Sequence, residues 1–281
     1  MIKKEFVCKT EDKLLNVISQ NNISYQSANK LLRKKDIKVD GARMSKNIQV
    51  FPGQVITIFI QEENLPKLFE KVFEDENILI INKFKGIEIS SKENPSIEKI
   101  LNEGKEKYFP VNRLDRNTEG LTIFAKSKEV FNLIKKAQKN KEIKKSYLTE
   151  VVGTTNFNGK TIVSYLQKDD EKSLVKIFSS PVKGSVKIET RITTLNNSSG
   201  KTSLLLVEIF GGKTHQIRAQ LSSLGFPIVG DGKYGKNLDN KKFKTKTQKL
   251  TAFKLNFNFS DKKLKYLSNL NFEITPSWLG K

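Results

Sequence analysis

The sequence predicts an α+β protein with a mixed, mainly antiparallel β-sheet, preceded by a small separate module. Three observations lead to this prediction. The chain has 281 residues, more than a typical single domain needs. Hydrophobic residues make up 37% and charged residues 29% of it, as in ordinary folded proteins. Strand-like and helix-like segments follow one another without a regular βα alternation, which favours an α+β arrangement. We predict a module at 1–62, a linker at 63–70 and a larger domain at 71–281.

The module begins with two short helices. Apolar residues recur at helical spacing within residues 14–18 and again within residues 28–32, on either side of the polar break NNIS. Ser24 is the predicted N-cap of the second helix. The other side of that helix carries three cations, Lys30, Arg33 and Lys34.

A small hairpin and a strand complete the module. Asp40-Gly41 is a tight-turn signal, and the strand Val55–Ile60 follows Pro52-Gly53. Together with the helices, the segments "SANKLLRKKDIKVDG" and "VFPGQVITIFI" resemble the alpha-L RNA-binding fold, which is attached to many RNA enzymes. The resemblance implies that Lys30, Arg33 and Lys34 bind RNA. The alternative is that they form only a solvated helix face.

The larger domain contains several predicted strands. "ENILIINKFKGIEIS" reads as strand, turn at Gly86 and strand, and "KEVFNLIKKAQK" reads as a helix. Four further apolar runs have strand length, Leu121–Ala125, Tyr147–Val152, Leu204–Phe210 and Leu250–Phe259. "KYGKNLDNKKFKTKTQK" is a lysine-rich loop that either follows a phosphate backbone or is simply solvated.

The charge of the chain predicts a polyanionic partner. There are 51 Lys and Arg against 30 Asp and Glu, a formal net charge of +21. Nucleic acid is the usual partner of such a surface. A membrane surface competes, but no apolar run approaches transmembrane length, and MIKKEFVCKT lacks the apolar core of a signal peptide. We therefore expect a cytoplasmic monomer that binds nucleic acid and no membrane.

Cysteine and histidine are almost absent. Cys8 is the only cysteine and His215 the only histidine, so neither a disulfide framework nor a Cys/His zinc site can form. The chain also lacks a Gly-rich phosphate loop and a dinucleotide fingerprint. We expect no metal and no nucleotide cofactor. Cys8 is interpreted as a small buried or half-buried apolar residue.

Two polar segments carry residues capable of chemistry. In "VNRLDRNTEGLTIFAKS", Asp115 lies between Arg113 and Arg116 in a loop before a strand. In "VEIFGGKTHQIRAQLSSLGFPIVGDGKYG", Thr214 is the predicted N-cap of a helix that carries Arg218 in its first turn. A cation there costs about 0.3 to 1 kcal/mol against the helix dipole, and a nearby anion reverses the sign. That anion is either a phosphate or a carboxylate such as Asp115, which Arg218 would keep charged. Taken alone, Asp115 is more simply a loop carboxylate in a salt bridge or turn.

The two segments together resemble the RluA-type pseudouridine synthases. "NRLDRNTEGL" is similar to that family's His-Arg-Leu-Asp-x-x-Thr-Ser-Gly-Leu signature, and "GGKTHQIRAQL" with "GFPIVGDGKYG" is similar to its Gly-Arg-Thr-His-Gln-Ile-Arg and Gly-His-Pro-Ile-x-Gly-Asp segments. "INKFKG" and "KSYLTEVVG" occupy the places of its Asn-Lys-Pro-x-Gly and Lys-x-Tyr motifs. These motifs stand in the family's order across about two hundred residues.

The resemblance implies roles for individual residues. Asp115 becomes the catalytic aspartate, Arg218 its ion-pair partner and Tyr147 the aromatic residue packed against the target base. Arg113 fills the space left by a flipped uridine, because a guanidinium plane can stack there. Arg116 and Lys213 contact RNA on this reading. His215 is expected to hydrogen-bond locally and to shape the cleft. Four positions depart from the family pattern, Asn112, Glu119, Lys213 and Phe84.

The implied reaction is the isomerisation of uridine to pseudouridine in RNA, most specifically in large-subunit ribosomal RNA. Asp115 would either attack the sugar or abstract a proton from it. Glu119 would add a negative charge close to an RNA-facing loop. A non-catalytic RNA-binding or ribosome-assembly factor that retains the fold is the alternative. A DNA-binding protein would explain the charge but not the Asp115 loop.

Overall fold

The computed structural model describes residues 2–21, 23, 25–60, 67–169, 174–198, 201–235, 241, 243, 245 and 247–279. The predicted N-cap Ser24, positions 61–66 around the predicted linker and eight of the seventeen residues of the lysine-rich loop lie outside these residues. No helix in the described ranges is both long enough and apolar enough to cross a membrane.

The N-terminal region has its own sheet and its own core. Its elements are β1 (Ile2–Val7), β2 (Asp12–Lys13), α1 (Leu14–Gln20), α2 (Tyr25–Arg33), β3 (Ile37–Val39), β4 (Ala42–Arg43), β5 (Gln49–Val50) and β6 (Val55–Ile60). The strands form a sheet of order β1-β6-β3-β4 and a two-stranded sheet β2-β5. The apolar faces of α1 and α2 pack on the first sheet, and Cys8 is buried in this core.

Both predicted helices and the predicted strand Val55–Ile60 are confirmed. The Asp40-Gly41 turn is also present. Both residues have a left-handed backbone, with φ of 48° and 83°, which Asp tolerates and Gly adopts freely. The assignment to the alpha-L fold and the domain boundaries stay predictions. β7 starts at Phe69, inside the predicted linker.

The rest of the chain forms one large sheet. Its strands are β7 (Phe69–Glu74), β8 (Ile78–Lys83), β9 (Phe109–Pro110), β10 (Glu119–Ala125), β11 (Ile143–Val152), β12 (Lys160–Asp169), β13 (Leu174–Phe178), β14 (Val186–Ser198), β15 (Thr202–Ile209), β16 (Leu250–Phe257) and β17 (Phe272–Glu273). Nine follow the order β13-β12-β14-β15-β11-β16-β10-β8-β7, while β9 pairs with β10 and β17 with β16. Among the described strands only β10 and β16 pair in parallel, so the predicted mixed, mainly antiparallel sheet is confirmed.

Each face of this sheet covers a separate core. Three helices, α3 (Ile97–Leu101), α4 (Lys128–Lys139) and α5 (Gln216–Ser223), accompany the sheet. The side chains of β8 alternate: Ile78 and Ile80 pack with α4, whereas Leu79 and Ile81 belong to the core that contains Tyr147 and the α5 residue Ile217. The second face therefore carries the side chains of the cleft.

One predicted strand is wrong. The segment after Gly86 forms only an isolated bridge, Glu88 with Ser96. The carbonyls of Glu88 and Ile89 instead accept the N–H groups of Ile97 and Glu98 at the start of α3, at 3.0 and 2.9 Å. A helix N-terminus has free N–H groups to satisfy, and these carbonyls satisfy two of them.

Glu119, expected from the sequence to add a negative charge close to an RNA-facing loop, is turned into the interior of the protein. Its side chain is buried at the start of β10. One carboxylate oxygen accepts the Thr251 hydroxyl at 2.8 Å and the Ser277 N–H at 2.9 Å, and the other accepts the Ser277 hydroxyl at 2.6 Å. The Trp278 indole N–H donates to the Thr251 hydroxyl at 2.8 Å. Glu119 thus fixes the C-terminal segment across β16.

Replacing Glu119 with alanine is expected to lower the free energy of unfolding by about 1 to 3 kcal/mol, because buried donors lose their acceptor. Urea denaturation followed by fluorescence of the only tryptophan, Trp278, measures the change. Glu103→Ala removes an exposed carboxylate and serves as the control. Equal stability of the two variants would show that the Glu119 contacts contribute nothing.

Candidate active site

The Asp115 loop lies between β9 and β10 and is closed by its own backbone. The Thr118 N–H donates to the Asp115 carbonyl at 3.0 Å, which forms a turn with Asp115 at its start. Asn112, one of the departures from the family pattern, is buried and accepts the Ile123 N–H at 2.9 Å. The Asn112 amide oxygen accepts this hydrogen bond although, unlike the histidine of the family pattern, it is not titratable. The replacement of histidine by asparagine therefore keeps the loop attached to β10.

Lys83 holds the same loop through hydrogen bonds from its side chain. Its fully buried ammonium donates to the carbonyls of Phe84, Ile87 and Arg116 at 2.9, 2.9 and 3.0 Å. Burial lowers the pKa of Lys83 to about 7, although the negative charge of Asp115 opposes the fall. The three donors of one ammonium therefore join the turn after β8 to the residue that follows Asp115. Nothing in the sequence around Lys83 indicates this role.

Arg218 joins two distant acids. Its Nη1 donates to Asp115 Oδ2 at 2.7 Å, so the contact predicted between the two segments is present. Its Nε and Nη2 donate to the two carboxylate oxygens of Asp231 at 2.7 and 2.8 Å. Burial by itself would lower the pKa of Arg218, but Asp231 and then Asp115 raise it, so the guanidinium stays charged. A cation in the first turn of a helix needs a nearby anion, and for Arg218 two carboxylates supply that negative charge.

Asp231 was missed from the sequence. It lies in the Gly230-Asp231-Gly232 turn of the quoted "GFPIVGDGKYG" segment, and its side chain is fully buried. Burial would raise the pKa of Asp231, but the hydrogen bonds and charge of Arg218 outweigh it and hold this pKa below its usual value. Asp231 fixes the guanidinium plane and leaves Nη1 directed at Asp115.

The two oxygens of Asp115 have different surroundings. Oδ2 is held by Arg218, whereas within the described ranges no donor reaches Oδ1. The Asp115 side chain is 25% exposed, in contrast to 7% for Arg218 and 0% for Asp231. A fixed carboxylate with one oxygen open to the cleft can act as a nucleophile or a base.

The start of α5 differs from the prediction. His215, not Thr214, is the N-cap, and its backbone is left-handed with φ of 54°. Such a conformation is uncommon outside Gly, although His, like Asn and Asp, adopts it more often than other residues, and here it turns the chain sharply into the helix. The Gln216 side-chain oxygen reaches back and accepts the Lys213 N–H at 3.1 Å, which fixes the segment that enters the helix. Thr214 instead receives Arg113 Nη2 on its hydroxyl at 3.4 Å.

His215 faces Asp115 across the cleft floor. Its Nδ1 lies 2.9 Å from the Tyr234 hydroxyl oxygen, which also accepts the Val175 N–H at 2.9 Å. The Tyr234 oxygen already accepts the Val175 N–H, so we assign its O–H as the donor to Nδ1, which puts the imidazole proton on Nε2, on the side of Asp115. Nε2 is then 3.9 Å from Asp115 Oδ2, too far for a direct hydrogen bond. The hydrogen-bond partner of His215 is thus not local, in contrast to the expectation from the sequence, but nineteen residues away along the chain.

The single histidine allows a direct titration. Burial lowers the pKa of His215 below its usual 6.5, with Asp115 opposing the shift. Protonation therefore favours the unfolded chain, and stability should fall as the pH drops through 6.5. Long-range ¹⁵N–¹H correlation spectra should show one imidazole with a pKa below 6.5 and the proton on Nε2. Tyr234→Phe should change the tautomer signals, and a pKa above 6.5 would contradict this account.

A cleft of about 1320 Å³ surrounds these groups. Six of the predicted residues line it together, Arg113, Asp115, Arg116, Tyr147, Lys213 and Arg218. Its described wall carries eight Lys and Arg side chains but only two carboxylates, those of Glu88 and Asp115. The predicted RNA-binding residues of α2 and its C-terminal end, Lys30, Arg33 and Lys34, do not line this cleft.

Tyr147 lies on β11 and is buried in the wall of the cleft. Burial, and then the charge of Asp115, raises the pKa of Tyr147, so the phenol stays neutral and cannot serve as an anionic base. Arg116 donates from Nε to the Gly86 carbonyl at 3.0 Å, which aligns it along the turn after β8. No group of three or more His, Cys, Asp or Glu suited to a metal ion occurs among the described residues.

The strongly basic cleft, with one exposed carboxylate held by a buried arginine above an antiparallel sheet, defines an enzyme that modifies nucleic acid. Residues 77–223, just over half of the chain, match the family of RNA pseudouridylate synthases. The chain belongs to this family, within its RluA-type branch, and is an RNA pseudouridine synthase, an isomerase.

Relatives and a solved structure agree with this assignment. An uncharacterized RNA pseudouridine synthase of Mycoplasma genitalium is 32% identical over 202 residues, covering 66% of this chain and 62% of that protein. The ribosomal large subunit pseudouridine synthase C of Buchnera aphidicola subsp. Baizongia pistaciae is 31% identical over 257 residues, covering 81% of this chain and 79% of the relative. The human RNA pseudouridylate synthase domain containing 1 has a similar fold, with a TM-score of 0.59 and 22% identity over 74% of this chain and 83% of its own.

Proposed function

We propose that this protein converts specific uridines of large-subunit ribosomal RNA to pseudouridine, with Asp115 as the catalytic carboxylate. The observation that carries the proposal is the geometry of Asp115, whose Oδ2 is held at 2.7 Å by Arg218 while Oδ1 stays open to the cleft. The name of the Buchnera relative supports the class of substrate. We further propose that the protein acts as a monomer in the cytoplasm, where ribosomal RNA is found.

In the proposed reaction, the glycosidic carbon–nitrogen bond of the uridine breaks and the uracil turns. A carbon–carbon bond then forms to carbon 5, and the proton at carbon 5 is released. Asp115 either attacks the sugar or removes a proton from it, and a charged carboxylate serves both routes. No group is consumed, so the isomerisation balances without a co-reactant.

The other cleft residues would position the nucleotide. A base within folded RNA must be unstacked before a side chain can reach it, at a cost of a few kcal/mol. Arg113 is exposed on the rim, and among the described residues its side chain makes one long hydrogen bond, at 3.4 Å to Thr214, so its guanidinium can move into the stack that the base leaves. Tyr147, a neutral ring buried in the wall, would pack against the uracil face.

The direct test uses purified protein and transcripts labelled with tritium at carbon 5 of uridine. We expect release of tritium from large-subunit ribosomal RNA and little from small-subunit ribosomal RNA or transfer RNA. Comparison of pseudouridine maps from wild-type and deletion strains then locates the target. Release from none of the RNAs, together with unchanged maps, would favour a non-catalytic RNA-binding factor.

We also propose that the N-terminal region grips RNA through the basic side of α2. Replacing Lys30, Arg33 and Lys34 with alanine should weaken RNA binding about tenfold or more at 0.1 M salt and reduce the dependence of log Kd on log salt by about two to three. Filter binding across a salt series measures both. A triple replacement of Lys262, Lys263 and Lys265, near the C-terminus, is the control of equal charge. Equal losses of RNA affinity in the two triple variants would show that the cations of α2 form only a solvated face.

A further inference from the structure

Lys145 is a buried cation that has no partner among the residues that the structure describes. It lies on β11 two residues before Tyr147, so both side chains point to the same face of the strand and line the cleft. The residue is only 4% exposed. Among the described residues, no hydrogen bond or ion pair is made by its ammonium. Lys83 and Arg218 are also buried, but the first has three carbonyls and the second has two carboxylates.

The neighbours of Lys145 are cationic. Lys135 of α4, Lys213 and Arg113 line the same cleft and are exposed to solvent at its mouth. A Cβ atom placed on Gly212 would lie 3.4 Å from the Lys145 ammonium, so the backbone approaches the cation closely. Burial, and then the charge of Lys135, lowers the pKa of Lys145 to about 8, which leaves most of it protonated at neutral pH.

This arrangement is unfavourable in the free protein. A buried charge loses its hydration, and like charges nearby add repulsion. No carboxylate is placed to offset these costs, because the two in the described cleft wall are Glu88 and Asp115, and Asp115 is bound to Arg218. An anion that enters between these cations would remove both costs. The cluster is therefore organised for a ligand with negative charge.

We propose that Lys145 forms the floor of a pocket that binds one phosphate of the RNA backbone, with Lys135, Lys213 and Arg113 around its mouth. This inference rests on the proposed function, because it places the phosphate beside the nucleotide that Tyr147 contacts. Two residues along a strand separate Lys145 from Tyr147 by about 7 Å. A nucleotide with its base against Tyr147 thus has a flanking phosphate within reach of the ammonium. The phosphate in this pocket, and not the identity of the base, thus sets the register of the RNA strand in the cleft.

Lys145→Met tests the pocket with little risk to folding, because it replaces a buried charge with an apolar chain of similar length. Lys144→Met is the matched control, since Lys144 lies on the opposite face of β11 and pairs with Glu208 at 2.9 Å. For Lys145→Met, we expect Kd for target RNA to rise about tenfold at 0.1 M salt, and the slope of log Kd against log salt to fall by about one. Lys144→Met should change Kd less than about threefold.

A chemical change in the RNA identifies the phosphate. Short target RNAs carry a single neutral methylphosphonate linkage, at one position at a time around the uridine. The wild-type protein should lose affinity sharply at one flanking linkage, and Lys145→Met should be insensitive to that linkage alone. Identical profiles for the two proteins, or an unchanged salt slope, would overturn the proposal. These are binding measurements, so a failure of the proposed isomerase reaction would appear separately, as absent tritium release by the wild-type protein.

Discussion

Asp115→Asn is expected to lower the rate of tritium release from target RNA by a factor on the order of 10³ or more while leaving the protein folded. Asparagine has the size and shape of aspartate, and its oxygen can still accept the hydrogen bond from Arg218 Nη1. Arg218 also keeps both bonds to Asp231, so no buried cation is left unpaired. What the variant loses is the negative charge at Oδ1, which both proposed routes require.

The measurement is single-turnover tritium release, with the melting temperature recorded on the same samples. Glu93→Gln removes an exposed carboxylate outside the cleft and should release tritium like the wild-type protein. RNA binding by Asp115→Asn should be unimpaired, since a negative charge has been removed near a polyanion. Unchanged release by this variant would remove Asp115 from the catalytic role and leave the family assignment intact.

Asp231→Ala is expected to have the largest effect on stability, a loss of about 3 to 5 kcal/mol, because it leaves a buried guanidinium with one anion in place of two. Arg218 Nε and Nη2 would both lose their acceptors, as would the N–H groups of Lys233 and Tyr234, which donate to Asp231 Oδ1 at 2.8 and 3.0 Å. Activity should fall as well, since the guanidinium would keep only its bond to Asp115 and its contact with the Tyr234 ring, 5.3 Å from the ring centre, among the described residues.

Urea denaturation at several pH values tests how much of this stabilisation comes from the charge of Asp231. The pKa of Asp231 in the folded protein lies below its usual 3.8, so its stabilisation is complete above that value and is lost as the pH falls through the folded pKa. The difference in unfolding free energy between wild type and Asp231→Ala should therefore be constant near pH 7 and shrink below about pH 4.

Asp231→Asn, which retains one acceptor, should lose less stability and remain measurable if the alanine variant does not fold. A difference that is independent of pH would show that Asp231 acts through packing and not through its charge.

The parts of the site that could be predicted are those encoded by local pattern. Arg218 stands in the first turn of a helix, where a cation needs an anion, and the motif order supplied Asp115 as a partner. The helix at 128–139 follows from periodicity, with Ser127 as its N-cap accepting the Val130 N–H at 3.2 Å. The two helical signals depend on residues within one turn of each other.

The parts that were missed depend on contacts between distant segments. Glu119 was misinterpreted because its partners Thr251 and Ser277 lie 132 and 158 residues away. Lys83 occurs in an apolar run, and only the fold shows that three carbonyls surround it. The strands β12 to β14 were not predicted because many of their side chains are exposed, so their sequences lack a continuous apolar run.

The place of β16 in the sheet has a consequence for protein synthesis. This strand, Leu250–Phe257, is inserted between β11, which carries Tyr147, and β10, which follows the Asp115 loop. Gly120 permits the close approach, since a Cβ there would lie 2.4 Å from the Ala252 carbonyl oxygen. While residue 257 is still inside the ribosome, the nascent chain already contains β10 and β11 with their parts of the cleft. It lacks β16, the strand that joins them. Residue 257 must therefore have left the ribosome before the enzyme can act on any RNA, including that of the ribosome producing it.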